Sequence, residues 1–370
     1  LVTSSYILAP FLIEIERIVD NSTVKDNALK TALKLELVNS LEGFEALRTE
    51  WNPLLRHSTT DQVFLTYEWQ RTWWDAYQPG ELFLLAGRDV SGVLCGIAPW
   101  FIETGTRTIR TIGCVDVTDY LDVMTAAEHR EAFLTSVVAC LESCSAQFSM
   151  LDLCNIPERS ATLDLLPRFL TERGFSVQIK QQEVCPIIDL PTDFEQYLAG
   201  LDKKNRHECR RKLRRADEAV SEGLSWYIVG PDHDLEAEIE RFIALMAASH
   251  PEKAAFLENT AHQTFFRAMV HEIARCGWLQ LSFLMVKDTA IAAYLNFDYN
   301  NRILVYNSGL LPDTYAYFSP GIVLLLFNIQ HAIKQGRSAF DFLRGNEEYK
   351  YRMGGKDHPV MNIEATLIAG

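Results

Sequence analysis

The sequence predicts an α/β protein built as a duplicated domain. Two apolar hairpins share one plan: "LFLLAGRDVSGVLCGIAPWFI" folds around "RDVSG", and "LQLSFLMVKDTAIAAYLNFDY" folds around "KDTA". Each is followed by a third strand and an apolar helix, then by a short strand carrying one Asp that runs into a polar loop. These ends are Asp152 in "FSMLDLCNIPERS" and Asp341 in "SAFDFLRGNEEYK". Between the copies, "VCPIIDLPTDF" holds a short apolar strand flanked by Pro186 and Pro191. The expected organisation is a peripheral extension over 1–35, a first domain over 36–186 and a second over 187–370.

The opening run "YILAPFLIEIERIV" lacks a basic leader and carries Glu14 and Glu16, so it reads poorly as a signal peptide. "SLEGFEALRTEWNPLLRHS" has helical spacing at Leu41, Phe44, Leu47, Trp51 and Leu54, and "TYEWQRTWWDAYQ" reads as a second helix with an aromatic face. After the first hairpin and strand, "VDVTDYLDVM" sets Asp116, Asp119 and Asp122 around Tyr120. These carboxylates either cap turns or hydrogen-bond a hydroxyl-rich or amine acceptor. They fit an EF-hand poorly.

"DKKNRHECRRKLRRADEAV" carries eight Lys or Arg between 203 and 215, and Cys209, Leu213, Ala216 and Val220 mark one apolar face. It reads as a basic amphipathic helix, either simply solvated or a clamp for phosphates. His250 in "MAASHPEK" reads as a structural residue of a helix-ending turn. "YAYFSPGIVLLLFNIQHAIKQG" predicts a helix with Ser319 as N-cap, Pro320 in the first position and Gly321 leaving the backbone open. Such a start is common, and its unpaired N–H groups also suit a phosphate.

With 370 residues, 48% hydrophobic and 23% charged, the chain has the composition of a soluble globular protein of about two domains. The balance of 35 basic and 49 acidic side chains, 35 − 49 = −14, argues against a protein that coats DNA or anionic membrane over its whole surface. Eight cysteines without a CxxC pair suggest neither a zinc site nor a disulfide framework, and most are expected to be buried thiols in a reducing cytoplasm. No run of about 18 uncharged apolar residues suggests a membrane span. P-loop, dinucleotide, metalloprotease and serine-hydrolase signatures are absent.

The ordered segments "TYEWQRTWWDAY", "GIAPWF", "TDYLDV", "DKKNRHECRRKLRR", "AYLNFDYNNRILVYNSGLLPDTYAYFSPG" and "FDFLRGNEEYKYRMGG" resemble the CelD/BcsL-type branch of the GNAT acyltransferases, over about residues 36–360. That branch is also similar to the FemAB proteins, which carry two GNAT-like domains. The resemblance implies tandem GNAT-like domains, each a mixed, mostly antiparallel sheet flanked by helices. It also implies an acyl-CoA co-substrate, acetyl-CoA first among them, and no metal. Two splayed parallel strands would receive the donor at Tyr306, Asn307 and Ser308, with its pyrophosphate at Ser319, Pro320 and Gly321. "YFSPG" departs from the usual GNAT phosphate loop.

Acyl transfer needs a deprotonated nucleophile, a polarised carbonyl and a proton for the leaving thiolate. Asp341 and Glu348 are candidates for base or orienter, Tyr349 for proton donor, and Lys350, Arg344 and Arg352 for charge stabilisation. Asp119, Tyr120 and Asp122 would meet the acceptor from the first half, and Arg206 belongs to the basic clamp. The expected activity is N- or O-acylation of a sugar or cell-envelope polysaccharide precursor by a cytoplasmic protein. An anionic lipid-linked precursor would bring it to the membrane periphery. The rivals are FemAB-like transfer from aminoacyl-tRNA and a catalytically silent subunit of a polysaccharide-synthesis complex.

Overall fold

The computed structural model describes residues 33–114, 117–311 and 315–368, so Asp116 and most of the expected 1–35 extension lie outside it. The first half contains β1 (Lys34–Val38), α1 (Leu41–Ala46), α2 (Arg48–His57), α3 (Tyr67–Tyr77), β2 (Gly80–Leu82), β3 (Leu84–Arg88), β4 (Leu94–Ala98), β5 (Trp100–Glu103), β6 (Thr108–Thr111), β7 (Met124–Thr125), α4 (Arg130–Ser143), β8 (Met150–Pro157) and α5 (Ala161–Glu172). The long strand β9 (Phe175–Asp189) follows. The second half contains α6 (Phe194–Gly200), α7 (Lys203–Ala219), β10 (Leu224–Ile228), α8 (Leu235–Ser249), α9 (Pro251–Glu258), α10 (Thr260–Arg275), β11 (Leu279–Val286), β12 (Thr289–Tyr299), β13 (Arg302–Leu310), α11 (Pro320–Lys334), β14 (Ala339–Asp341), α12 (Glu348–Arg352) and β15 (Lys356–Leu367).

Local chemistry explains these elements and corrects several expected ones. The first expected helix breaks in two at Leu47, and Leu41 is 43% exposed rather than buried. Phe44, Leu47, Trp51 and Leu54 do face the core. The first hairpin forms between β3 and β4 but divides at Pro99, which offers the ladder no N–H. Beyond Pro99 the chain enters the larger of two sheets as β5. The basic segment is helical, with Asp202 capping it by accepting from the N–H groups of Lys204 and Asn205, each at 2.9 Å. Its apolar face is Cys209, the partly buried Leu213, Ala216 and Ala219, while Val220 is 62% exposed.

A four-stranded sheet has the order β1-β3-β4-β7, and an eleven-stranded sheet runs β10-β11-β12-β13-β14-β9-β15-β8-β6-β5-β2. The larger sheet contains two parallel pairs, β6 with β8 and β13 with β14, one in each half and each followed by divergence of its strands. This shared feature agrees with the duplicated plan. The apolar strand around Pro186 is the end of β9, and residues 186 and 187 are neighbours within that strand.

β9 pairs along its length with β15, from Phe175↔Leu367 to Ile187↔Lys356, while its last residues pair with β14 on the other side. β15 in turn pairs with β8. The chain's last strand therefore sits inside the sheet of the first half, with Ile363 and Ala365 in the core formed by Phe133, Leu151, Leu153 and Phe175. A second shared core adds to this join. Trp69 of α3 meets Phe265 of α10 at 5.4 Å and Phe297 of β12 at 5.7 Å between ring centres, both edge-on.

The cysteine expectation is corrected at one pair. Cys114 and Cys154 are joined by a disulfide across the divergence of β6 and β8, whereas the other six cysteines are free thiols. Five of those six are buried.

The pairing of β15 generates a test. Ile363→Ala is expected to cost about 2–5 kcal/mol. Hydrogen exchange should lose protection in β8 and α5 as well as in β14. Loss confined to residues after 187 would contradict the shared sheet.

Candidate active site at the splayed strands

β13 and β14 pair in parallel only at Arg302↔Ala339, Ile303↔Phe340 and Leu304↔Asp341. Beyond Leu304, β13 keeps β12 as a partner, and a register shift between Leu295 and Asn296 leaves Tyr306 as an extra, bulged residue. Leu311 N–H donates to the Ile291 carbonyl, which sets the ladder's alternation and turns the backbone groups of Ser308 away from β12. Side chains engage them instead. Ser308 N–H donates to Asn307 Oδ1 at 2.8 Å, and Lys253 Nζ donates to the Ser308 carbonyl at 2.5 Å and to Asn307 Oδ1 at 2.9 Å.

Lys253 reaches this edge from the first turn of α9. Burial pushes its ammonium down to about 8, partly offset by the charge of Glu347. Glu347 is itself exposed and lies 2.9 Å from Lys350 Nζ.

At the far end of the splay, Pro320 opens α11 and is buried, as expected for the first helical position. Ser319 departs from the expectation. Its backbone is left-handed at φ 52°, and its hydroxyl caps nothing but accepts from Lys212 Nζ. Gly321 approaches Leu310 so closely that an added Cβ would stand 3.0 Å from it. A cleft of about 920 Å³ opens here, lined by Lys203–Arg210 and Lys212 of α7, Ile322 of α11, and Tyr349, Arg352 and Met353. Burial pushes the Tyr349 hydroxyl far above its ordinary value, so it stays protonated and able to donate.

The first half contributes the loop after residue 116. Tyr306 Oη donates to the Val117 carbonyl at 2.9 Å, Arg344 Nε to Asp119 at 2.8 Å, and Tyr120 Oη to Asp341 Oδ2 at 2.9 Å. Asp341 Oδ1 accepts from Leu343 N–H at 2.8 Å. Both oxygens of this buried carboxyl are thus engaged, and burial raises it to about 6 despite those bonds. Its geometry is that of an orienter tying the 342–347 loop to Tyr120.

The expected residues therefore fall into separate groups. Arg206, Tyr349 and Arg352 line the cleft, and Asn307 and Ser308 form the strand edge with Lys253. Asp119, Tyr120, Asp341 and Arg344 join the halves beside them. Lys350 is buried beneath the loop, donating to the carbonyls of Leu343, Arg344 and Gly345 at 3.2, 2.7 and 3.1 Å, so it holds the turn. Glu348 is exposed and pairs with Arg352 at 2.5 Å. Asp122 stands apart, buried and raised to about 6, accepting from Thr162 Oγ1 at 2.6 Å beside the start of α5.

Lys212, Lys253 and Glu347 were not singled out by sequence reasoning. Lys212 is one of eight cations in its helix, and nothing local distinguishes Lys253 in "HPEK" from a surface lysine.

The carboxyl of Asp341 generates a pH test. Its folded value, about 6, exceeds the ordinary 3.8, so the fold favours the neutral acid. That contribution is full below pH 3.8 and is lost as pH rises through about 6. Between pH 4 and 8 the wild type should lose on the order of 2–3 kcal/mol relative to Asp341→Asn in urea unfolding. A difference that does not change with pH would contradict it.

Residues 203–351 match the family model described as Acetyltransferase (GNAT) domain. No curated protein matches the chain in sequence. Among solved structures, FemX is similar at 10% identity with a TM-score of 0.61, over 87% of this chain and 96% of FemX. L-PGS from Bacillus licheniformis is similar at 8% identity and a TM-score of 0.53, over 90% and 93% of the two chains. A tandem GNAT protein from the clavulanic acid biosynthesis pathway is similar at 10% identity and a TM-score of 0.50, over 92% of this chain and all of that one. The CelD/BcsL branch is not among these matches. The chain thus has the α/β fold seen in tandem GNAT proteins, and residues 203–351 of its second half are similar to the GNAT acetyltransferase domain.

Proposed function

We propose that this protein transfers an acyl group, acetyl foremost, from a CoA thioester to an amine or hydroxyl of a sugar or cell-envelope polysaccharide precursor. The observation that carries the donor half of this reading is the cleft between α7 and the start of α11, where Lys212 meets Ser319. Lys212, held between Ser319 and Glu208, sets a cation beside the positive end of α11, a combination suited to a pyrophosphate. Arg206 and Arg352 widen that basic lining.

The donor supplies an acyl group activated as a thioester. The chain's residues bind and orient it. Tyr349 keeps its proton and lines the same cleft, which suits it to donate a hydrogen bond to a leaving thiolate. The Asp119–Arg344 and Tyr120–Asp341 contacts hold both halves of the chain at one place, where an acceptor can be gripped from two sides. An anionic precursor, including a lipid-linked one, would be attracted by the exposed cations of α7. Among the described residues no helix is long and apolar enough to cross a membrane.

A second reading, transfer from an aminoacyl-tRNA, draws support from the same basic helix and from the likeness to FemX. Calorimetric titration with acetyl-CoA and free CoA separates the two. CoA binding is expected, with Lys212→Met weakening it about 10- to 100-fold. Gly321→Asp, which sets a negative charge at the helix start, is expected to abolish it. Absence of binding to any CoA species by the folded wild type would overturn the CoA reading in favour of tRNA.

A further inference from the structure

Lys253 is placed as few lysines are. It projects from the first turn of α9 onto the edge of β13, where its Nζ donates to the Ser308 carbonyl and to Asn307 Oδ1, with Ser308 Oγ at 3.5 Å. These acceptors are neutral, and among the described residues no carboxylate lies within ion-pair distance of it. The charged group facing it is Glu347, whose carboxylate is held by Lys350, while Glu252 beside it is exposed. Lys350 makes an informative contrast, because its buried ammonium has three carbonyls and the Glu347 carboxylate as partners. A half-buried lysine without such compensation sheds its proton more readily than an exposed one, and the neutral amine is a nucleophile. Burial pushes Lys253 down to about 8.

The position matters as much as the charge. Ser308 N–H and C=O are among the backbone groups of β13 that face away from β12, and the pair Asn307 and Lys253 covers both. A donor lying along this edge has to take those groups from the side chains. The freed Lys253 amine is then beside the bound donor.

We propose that Lys253 is a self-acylation site, which takes the acyl group of a thioester donor bound at the β13 edge when no acceptor is present. This inference rests on the thioester reading given above. The Nζ lone pair attacks the acyl carbon, the C–N bond forms, the C–S bond breaks, and the proton shed by Nζ ends on the departing thiolate. The products are an acyl-lysine amide and a free thiol, with no change of oxidation state. An acylated Lys253 keeps a single N–H and no charge, so it cannot serve both Ser308 and Asn307 or face Glu347 as a cation. The modified edge differs from the unmodified one, and the modification limits its own repetition.

The test is incubation of the full chain with acetyl-CoA at neutral pH without acceptor, followed by peptide mass spectrometry. Parallel labelling with acetic anhydride, which needs no binding site, reads the amine alone. Lys253 is expected to gain acetyl from acetyl-CoA at least about 10-fold faster than the exposed Lys287 and Lys356. Lys253→Arg, which keeps a cation and its donors, should remove that label and leave the fold intact. Acetyl-CoA binding without preferential labelling of Lys253 would overturn the self-acylation while leaving the CoA reading intact. If acetyl-CoA does not bind but acetic anhydride labels Lys253 first, the CoA reading fails and the reactive lysine stands. Absence of both overturns both.

Discussion

The structure depends on one backbone interaction, the antiparallel pairing of β9 with β15. Each strand serves both halves. β9 continues from the first-half sheet to pair with β14, and β15 carries the chain's end back to pair with β8. Two domains joined only by a linker could rotate against each other, whereas a sheet that runs through both cannot without breaking ladder bonds. The ribbon therefore fixes where the first half's 117–123 loop stands relative to β14. It is what lets Tyr120 reach Asp341, and Arg344 reach Asp119, across more than two hundred residues of sequence.

From that frame the site follows by geometry. A parallel pair that ends after three residues leaves backbone groups of β13 without a strand partner, and buried groups of this kind have to be satisfied. Asn307 and Lys253 satisfy them with side chains, which a ligand can displace at far less cost than a strand. At the other end, α11 begins with a proline and a left-handed Ser319, whose carbonyl accepts from the Ile322 and Val323 N–H groups while its side chain caps nothing. A cation from α7 stands beside them. Burial then sorts the protons: it keeps Tyr349 protonated and brings Lys253 toward neutrality.

Much of the fold was legible because its signals are local. Hairpin turns, the Pro320 helix start, the basic amphipathic helix α7 and the repeated Asp-bearing strand are readable within a dozen residues. The two long strands were not. Most of β9 before Cys185 is exposed, so its composition shows no apolar run, and nothing local reveals that β15 pairs with a strand two hundred residues earlier. The same limit applied to the site. Glu348 and Lys350 looked alike as charges in one polar stretch, but one faces solvent and the other holds up the loop. Lys253 could be recognised only once the topology placed α9 against β13. Cys114 and Cys154 lie forty residues apart, and their meeting depends on the divergence of β6 and β8.

The central claim is that the open edge of β13 and the start of α11 form one donor site. Hydrogen exchange with and without saturating CoA tests it most directly, because it reports where a ligand sits without needing the acceptor. The account predicts added protection at Ser308 and Leu310 and at Gly321, with the amides of β6 and β8 unchanged. Protection at the β6/β8 divergence instead, or none at the β13 edge under conditions where CoA binds, would contradict it.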